Sequence, residues 1–243
     1  MKIIIVRHGD PNYVTDSLTP KGKREAELLA KRIAKANITA FYCSPLGRAQ
    51  ETLKIASGKT EKEYETLDWL QEFTGRIDDP ATKEKRIPWD LMPAMWTKHD
   101  KLYSSTDWFN SKIMSGGNAN VKQKYDEVIA GLDRLIEKHG YKRDGAFYKV
   151  VRENSDTIAL FCHFGLESVL LSHLLNISPV LVWQGFVAVP TSVTTLVTEE
   201  REQGTAYFRC SSFGDISHLW AGNEEPSFAG RFCECYSNKE QRH

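Results

Sequence analysis

Arg7-His8-Gly9 follows directly on the apolar run Ile3-Ile4-Ile5-Val6, so a basic pair and a glycine emerge where a first buried strand should end. In open α/β sheets, ligands gather outside the carboxyl ends of the strands, where loops and helix N-termini present N–H groups to anions. The arrangement returns late in the chain: Thr157-Ile158-Ala159-Leu160-Phe161-Cys162 runs into His163, and a helix opens near Gly165. Arg48 falls in the first turn of another predicted helix, and Glu72 lies beyond a strand predicted at 64–67. These residue types suit phosphoryl transfer. Fixed cations neutralise a phosphate dianion, a neutral imidazole attacks it, and a carboxylic acid protonates the departing oxygen. Positive charge beside His8 lowers its pKa and frees one ring nitrogen, while a backbone acceptor near Gly9 would hold the other. His163, if protonated, would grip the transferring oxygens together with the N-terminal dipole of its helix.

The elements that must position these groups can be read from cap and periodicity signals. Thr19-Pro20 starts a helix with Ala26, Leu29, Ala30 and Ile33 on one face, and Phe41-Tyr42-Cys43 reads as a strand. Ser44-Pro45 reads as a second cap-and-proline start, with Ala49, Leu53 and Ala56 as the buried stripe. Residues 73–117 break the alternation with Pro80, Pro88, Pro93, Trp89, Trp96 and Trp108, and are expected to form an inserted cap whose aromatics pack on the core or meet substrate. Tyr125 to Ile136 forms a long helix ended by Gly140, and 193–197 with 206–211 forms a hairpin through Gln203-Gly204. The expected architecture is a single α/β domain over 1–243. It is a three-layer α/β/α sandwich with a mostly parallel central sheet, the cap at 73–117 and a frayed polar tail at 232–243.

With 32 basic and 32 acidic residues, the chain has no global field to steer nucleic acid or an anionic membrane, so any anion site is local. Neither a signal-type N-terminus nor a membrane-length apolar run is present, and the protein is expected to be cytoplasmic. Cys43, Cys162, Cys210, Cys233 and Cys235 read as reduced thiols, and Cys233-x-Cys235 lacks usual metal spacing. His99, His139, His173, His218 and His243 have no motif around them. Arg76, Lys83, Lys85 and Arg86 form a basic cluster that is either a solvated face or a contact for a second anionic group. The segment 205–211 could be an exposed edge strand through which a homodimer pairs.

Arg7-His8-Gly9, Ser44-Pro45-Leu46-Gly47-Arg48-Ala49, Leu70-Gln71-Glu72 and Cys162-His163-Phe164-Gly165, in that order, resemble the motifs of the histidine phosphatase superfamily, in its phosphoglycerate-mutase-like branch. The resemblance implies a cofactor-free, metal-independent phosphomonoester hydrolase acting on a small phosphorylated substrate through a phosphohistidine. Carried over by motif, His8 is the nucleophile, Arg7, Arg48 and His163 form the phosphate pocket, Glu72 is the general acid and Phe164 contributes its backbone N–H. Asp78 and Asp79 are the alternatives to Glu72. Mutases of the family usually carry an asparagine where this chain has Val14, and a longer signature where it has Phe73-Thr74-Gly75. Those departures favour hydrolysis over mutase-type transfer, with Asn12 as a substitute amide. Two other readings are a non-catalytic phosphate-binding module and a metal hydrolase using His8, His163 and Glu72 as ligands.

Overall fold

The computed structural model describes residues 1–79, 82, 84–229 and 234–238. Strand β1 (Lys2–Arg7) leads into a short hairpin, β2 (Pro11–Asn12) and β3 (Ser17–Leu18), followed by α1 (Pro20–Ile33), β4 (Ala40–Cys43), α2 (Gly47–Ser57) and β5 (Glu65–Thr66). The next stretch holds a hairpin, β6 (Ile77–Asp78) and β7 (Lys85–Arg86), and two single-turn helices, α3 (Pro93–Trp96) and α4 (Lys112–Ser115). Then come α5 (Val121–Lys138), the hairpin β8 (Tyr141–Asp144) and β9 (Phe147–Val150), β10 (Thr157–Cys162), α6 (Phe164–Leu175) and α7 (Pro179–Gly185). A long hairpin, β11 (Val193–Glu202) and β12 (Thr205–Asp215), and α8 (Ser217–Ala221) complete the order.

Eight strands form one sheet in the order β5-β4-β10-β1-β11-β12-β9-β8. Pairing is parallel from β5 to β1 and antiparallel from β1 to β8, so the strands that end at Arg7 and Cys162 are paired in parallel and the antiparallel pairing lies on the β11 side. Side chains alternate across the sheet as strand geometry requires. Ile3 and Ile5 join the larger apolar cluster with residues of α5 and α6, while Ile4 and Val6 join the smaller one with residues of α1 and α2. Helix α6 is apolar on nearly every side and has nine of its twelve residues buried, as a helix with that composition must.

Local chemistry explains most boundaries. Thr19 accepts the Gly22 N–H and Pro20 opens α1, as expected, and Gly140, at φ 92°, turns the chain after α5. Ser44 does not cap α2, however. The helix starts at Gly47 behind Leu46, and the Ser44 hydroxyl is spent elsewhere. The expected strand at 64–67 shrinks to two residues, and a three-residue turn of 3₁₀ helix, Asp68–Leu70, carries the chain towards Glu72. The β8–β9 hairpin was not anticipated, although Asp144-Gly145 is a turn signal and Gly145 adopts φ 60°. That hairpin covers only the start of the expected edge strand, since β9 pairs with Thr205 and Ala206 and, among the described residues, with no later residue of β12. Residues 73–117 add no strand to the main sheet among those described, yet Phe73, Ile77, Leu102, Trp108 and Met114 enter its larger core cluster. The tail expected to fray, 232–243, falls mostly outside the described residues, as does Cys233.

Candidate active site

Strands β1 and β10 run side by side in parallel with Arg7 opposite Cys162, so His8 and His163 leave neighbouring strands at the same level. Their ring centroids are 5.0 Å apart. The His8 Nδ1 lies 2.7 Å from the Gly9 carbonyl oxygen, which fixes the ring proton on Nδ1 and leaves Nε2 with its lone pair. The loop itself is pinned, with the His8 N–H donating to Cys162 O at 3.0 Å and the Gly9 N–H to Thr52 Oγ1 at 2.9 Å. Burial, then the Arg7 and Arg48 charges, hold the His8 pKa well below the usual imidazole value against the opposing Gly9 carbonyl.

His163 is held by the opposite nitrogen. Its Nε2 sits 2.7 Å from Ser44 Oγ. That oxygen accepts the Leu46 N–H at 3.2 Å and has its own proton to give to Nε2, the pairing that puts the ring proton on Nδ1. The His163 Nδ1 is buried without a protein partner. The expectation of a charged His163 is corrected here, since burial first, and then His8, Arg48 and Arg7, depress its pKa well below 6.5. A neutral imidazole still donates through Nδ1–H.

Two buried guanidiniums complete the cradle. Arg7 Nη1 donates to Ala188 O at 2.5 Å and Ala229 O at 3.1 Å, and Arg48 Nη1 pairs with Asp16 Oδ1 at 2.5 Å. The Nε atoms of both are buried and unpartnered. The loops behind the arginines approach the helices at backbone contact. A β-carbon on Gly22 would collide with the Asp10 backbone, and one on Gly47 with the Asp16 backbone. Asp16 also accepts the Gly47 N–H at 2.7 Å, so one carboxylate fixes both the start of α2 and the fork of Arg48.

Glu72 Oε1 accepts the N–H groups of Phe73, at 2.8 Å, and Leu166, at 3.1 Å, which orients the carboxyl and leaves Oε2 for proton transfer. Burial raises its pKa, opposed in order by the Phe73 N–H, Arg7, the Leu166 N–H and Arg48. Arg7, Arg48, Glu72 and Phe164 border one cavity of about 380 Å³. Asn12 does not join them, which corrects that expectation. Its side-chain oxygen accepts the Val14 and Thr15 N–H groups in an exposed turn, and Tyr13 lines the cavity instead. Asp78 pairs with Lys85 at 2.5 Å and Asp79 with Arg86 at 2.9 Å, so neither alternative acid is free for the site. The same pairs account for Lys85 and Arg86 of the basic cluster, Lys83 lies outside the described residues, and Arg76 faces the cavity. Of the expected cap aromatics, Trp108 is core, Trp96 stacks near Tyr103 and Trp89 lines the cavity.

Sequence reasoning missed Asp16 and Thr52, small polar residues with no signal apart from their partners, and read Ser44 as a helix cap rather than as the partner of His163. It also missed Glu167, whose signal was plain: a lone carboxylate in the apolar helix FGLESVLLSHLL. Glu167 is 1% exposed, has Oε1 unpartnered, and is pushed up to about 7 chiefly by burial. Among the described residues no group of three His, Cys, Asp or Glu side chains is placed to hold a metal ion. No described helix is long and apolar enough to cross a membrane.

Comparison with known proteins bears on the family and the fold. Residues 3–210 match the model of the histidine phosphatase superfamily, branch 1. A probable phosphatase of Schizosaccharomyces pombe is 23% identical over 234 residues, covering 90% of this chain and 95% of that protein. In structure the chain is similar to a phosphoserine phosphatase mutant from Entamoeba histolytica in complex with phosphoserine, with a TM-score of 0.57 and 22% identity over 90% of this chain and 98% of that one. It is also similar to a mycobacterial glucosyl-3-phosphoglycerate phosphatase, with a TM-score of 0.55 and 18% identity over 88% and 98% of the two chains. With the match running through both histidine-bearing strands and the sheet between them, this chain belongs to the histidine phosphatase superfamily.

Proposed function

We propose that the protein hydrolyses small phosphomonoesters through a phosphohistidine on His8, without a metal ion or cofactor. One observation carries the reading: three buried donors, the Nε atoms of the cavity-lining Arg7 and Arg48 and the Nδ1 of His163, whose ring lies 5.0 Å from that of His8, have no protein partner. Buried donors are almost always paired, and a phosphoryl group offers the oxygens that would satisfy all three. Donors held in place before reaction stabilise developing negative charge without reorganising.

His8 Nε2 attacks phosphorus, forming the N–P bond as the bond to the ester oxygen breaks. Glu72 gives its proton to that oxygen, so the alcohol leaves neutral. The raised pKa of Glu72 keeps this proton available closer to neutrality than an ordinary glutamate would. Glu72, now a carboxylate, takes a proton from water as the water oxygen attacks phosphorus. The N–P bond breaks, inorganic phosphate forms and His8 Nε2 recovers its lone pair. Arg7 and Arg48 supply the fixed positive charge throughout, which is the electrostatic task that metal ions perform in other phosphoryl transferases.

The test is hydrolysis of an aryl phosphate by wild type and His8→Ala in the presence of a chelator, with acid-labile and base-stable phosphate measured on denatured enzyme after rapid quenching. Turnover and a phosphoenzyme in wild type alone are expected. Activity retained by His8→Ala, or removed by the chelator, would overturn the mechanism.

A further inference from the structure

Beyond the phosphate cradle, the cavity wall is made by Tyr13, Phe73, Arg76, Ile87, Trp89 and Asp90. Its two charged members are not neutralised in the usual way. Arg76 is half-buried and uses Nη1 on the carbonyls of Gly75, at 3.0 Å, and Phe73, at 3.5 Å. It pairs with no carboxylate among the described residues, whereas its neighbours Lys85 and Arg86 each have one. The backbone carbonyls engage Nη1, while Nε and Nη2 of this cavity-lining residue make no hydrogen bond among the described residues.

Asp90 is also half-buried. Its backbone carbonyl takes the Arg86 Nη1 at 3.1 Å, but its carboxylate accepts no hydrogen bond among the described residues. Burial raises its pKa, with the Arg86 charge opposing. A carboxylate in the wall of a site built for a phosphate dianion is repulsive unless the bound molecule brings a cation to meet it. Such a group discriminates against molecules that lack the cation, as an unpaired charge does at a selective interface. Opposite charges in one small cavity therefore describe the part of the substrate remote from phosphorus. Trp89, packed against Gly165 and 6.5 Å from the Phe73 ring, gives an apolar face for a short carbon skeleton.

Building on the phosphatase reading, we infer that the preferred substrates are phosphate esters of small zwitterions, with a carboxylate on Arg76 and an ammonium group on Asp90. Arg76 offers a carboxylate the planar, bidentate match that a lysine cannot.

Four esters separate the terms: O-phosphoserine carries both charges, 3-phosphoglycerate the carboxylate alone, phosphoethanolamine the ammonium alone, and p-nitrophenyl phosphate neither. Wild type should show a kcat/KM for O-phosphoserine at least tenfold above those for 3-phosphoglycerate and phosphoethanolamine. Arg76→Ala should lower kcat/KM at least tenfold more for the two carboxylate esters than for phosphoethanolamine. Arg76→Gln, whose amide can keep the bonds to the Phe73 and Gly75 carbonyls, guards against a folding defect and should show the same split. Asp90→Asn should reverse it, penalising the two ammonium esters relative to 3-phosphoglycerate. Equal losses on all four esters, or a wild type that prefers esters without these charges, would overturn the inference. It would then fall while His8-dependent hydrolysis of the aryl ester stood. If folded wild type hydrolysed none of the four, the phosphatase reading itself would fail.

Discussion

His8 and His163 occupy equivalent places at the ends of adjacent parallel strands, yet the protein holds them by opposite nitrogens. At His8 the acceptor is the neighbouring Gly9 carbonyl, on Nδ1. At His163 the partner is the distant Ser44 hydroxyl, on Nε2. One ring is left with a lone pair and the other with a proton, so under the proposed mechanism the same residue type serves as nucleophile and as hydrogen-bond donor in the same electrostatic surroundings. Both pKa values are depressed by burial and by the two arginines. The division of labour thus rests on tautomer rather than on charge. The surroundings differ further along the chain: four residues past His8 is the exposed Asn12, while four past His163 is the buried Glu167.

The most severe way to break this comparison is His163→Ala. Loss of one preorganised donor should lower kcat by about 10²- to 10³-fold while rapid quenching still finds slow phosphorylation of His8. A fall of less than tenfold would remove His163 from transition-state stabilisation. Next in size is Glu167→Gln, read by thermal melts across pH. Below about pH 4.5 Glu167 is protonated in folded and unfolded chains alike, and its ionisation costs nothing. Between there and its folded value of about 7, only the unfolded chain ionises, so wild type loses up to about 3 kcal/mol relative to the glutamine variant. The variant's advantage in Tm should therefore open with rising pH across that window and stay level above it. A pH-independent difference would show that the folded carboxyl ionises normally.

The mildest perturbation, and the one aimed most directly at the comparison, is Ser44→Ala. Freed from its fixed tautomer, His163 should cost about tenfold in kcat, and Ser44→Thr should restore part of it. If alanine left kcat unchanged, something other than Ser44 would be setting the His163 proton.

The histidines and Arg7 were legible because each stands where an apolar run announces a strand end, and strand ends in this class of sheet converge; Arg48 and Glu72 were placed by their motifs, behind a serine that does not cap α2 and a strand that shrinks to two residues. The partners that set their chemistry were not legible. Ser44 has the profile of a helix cap, and only the register of β4 beside β10 shows that its hydroxyl faces His163 instead. Asp16 lies in a turn 32 residues before the arginine it holds, at a separation that no local pattern encodes. Asn12 failed for the converse reason: a short-range turn satisfied its side chain before any long-range contact could. The β8–β9 hairpin shows the same asymmetry, since its Asp-Gly turn was visible but its place beyond β12 depends on tertiary pairing.

The backbone contacts behind the cradle bear on how this site would look in a mutational survey. Gly22 lies flush against the Asp10 backbone, two residues past His8, and Gly47 against the backbone of Asp16, whose carboxylate holds Arg48, with no space for a methyl group at either. Replacing either by alanine would push the backbone it touches outward and misplace Arg7 and His8, or Arg48, without altering a single reacting atom. Scored by lost activity alone, these two silent positions would rank beside the nucleophile. The boundary of the active site drawn by tolerance to substitution would then be wider than the one drawn by chemistry.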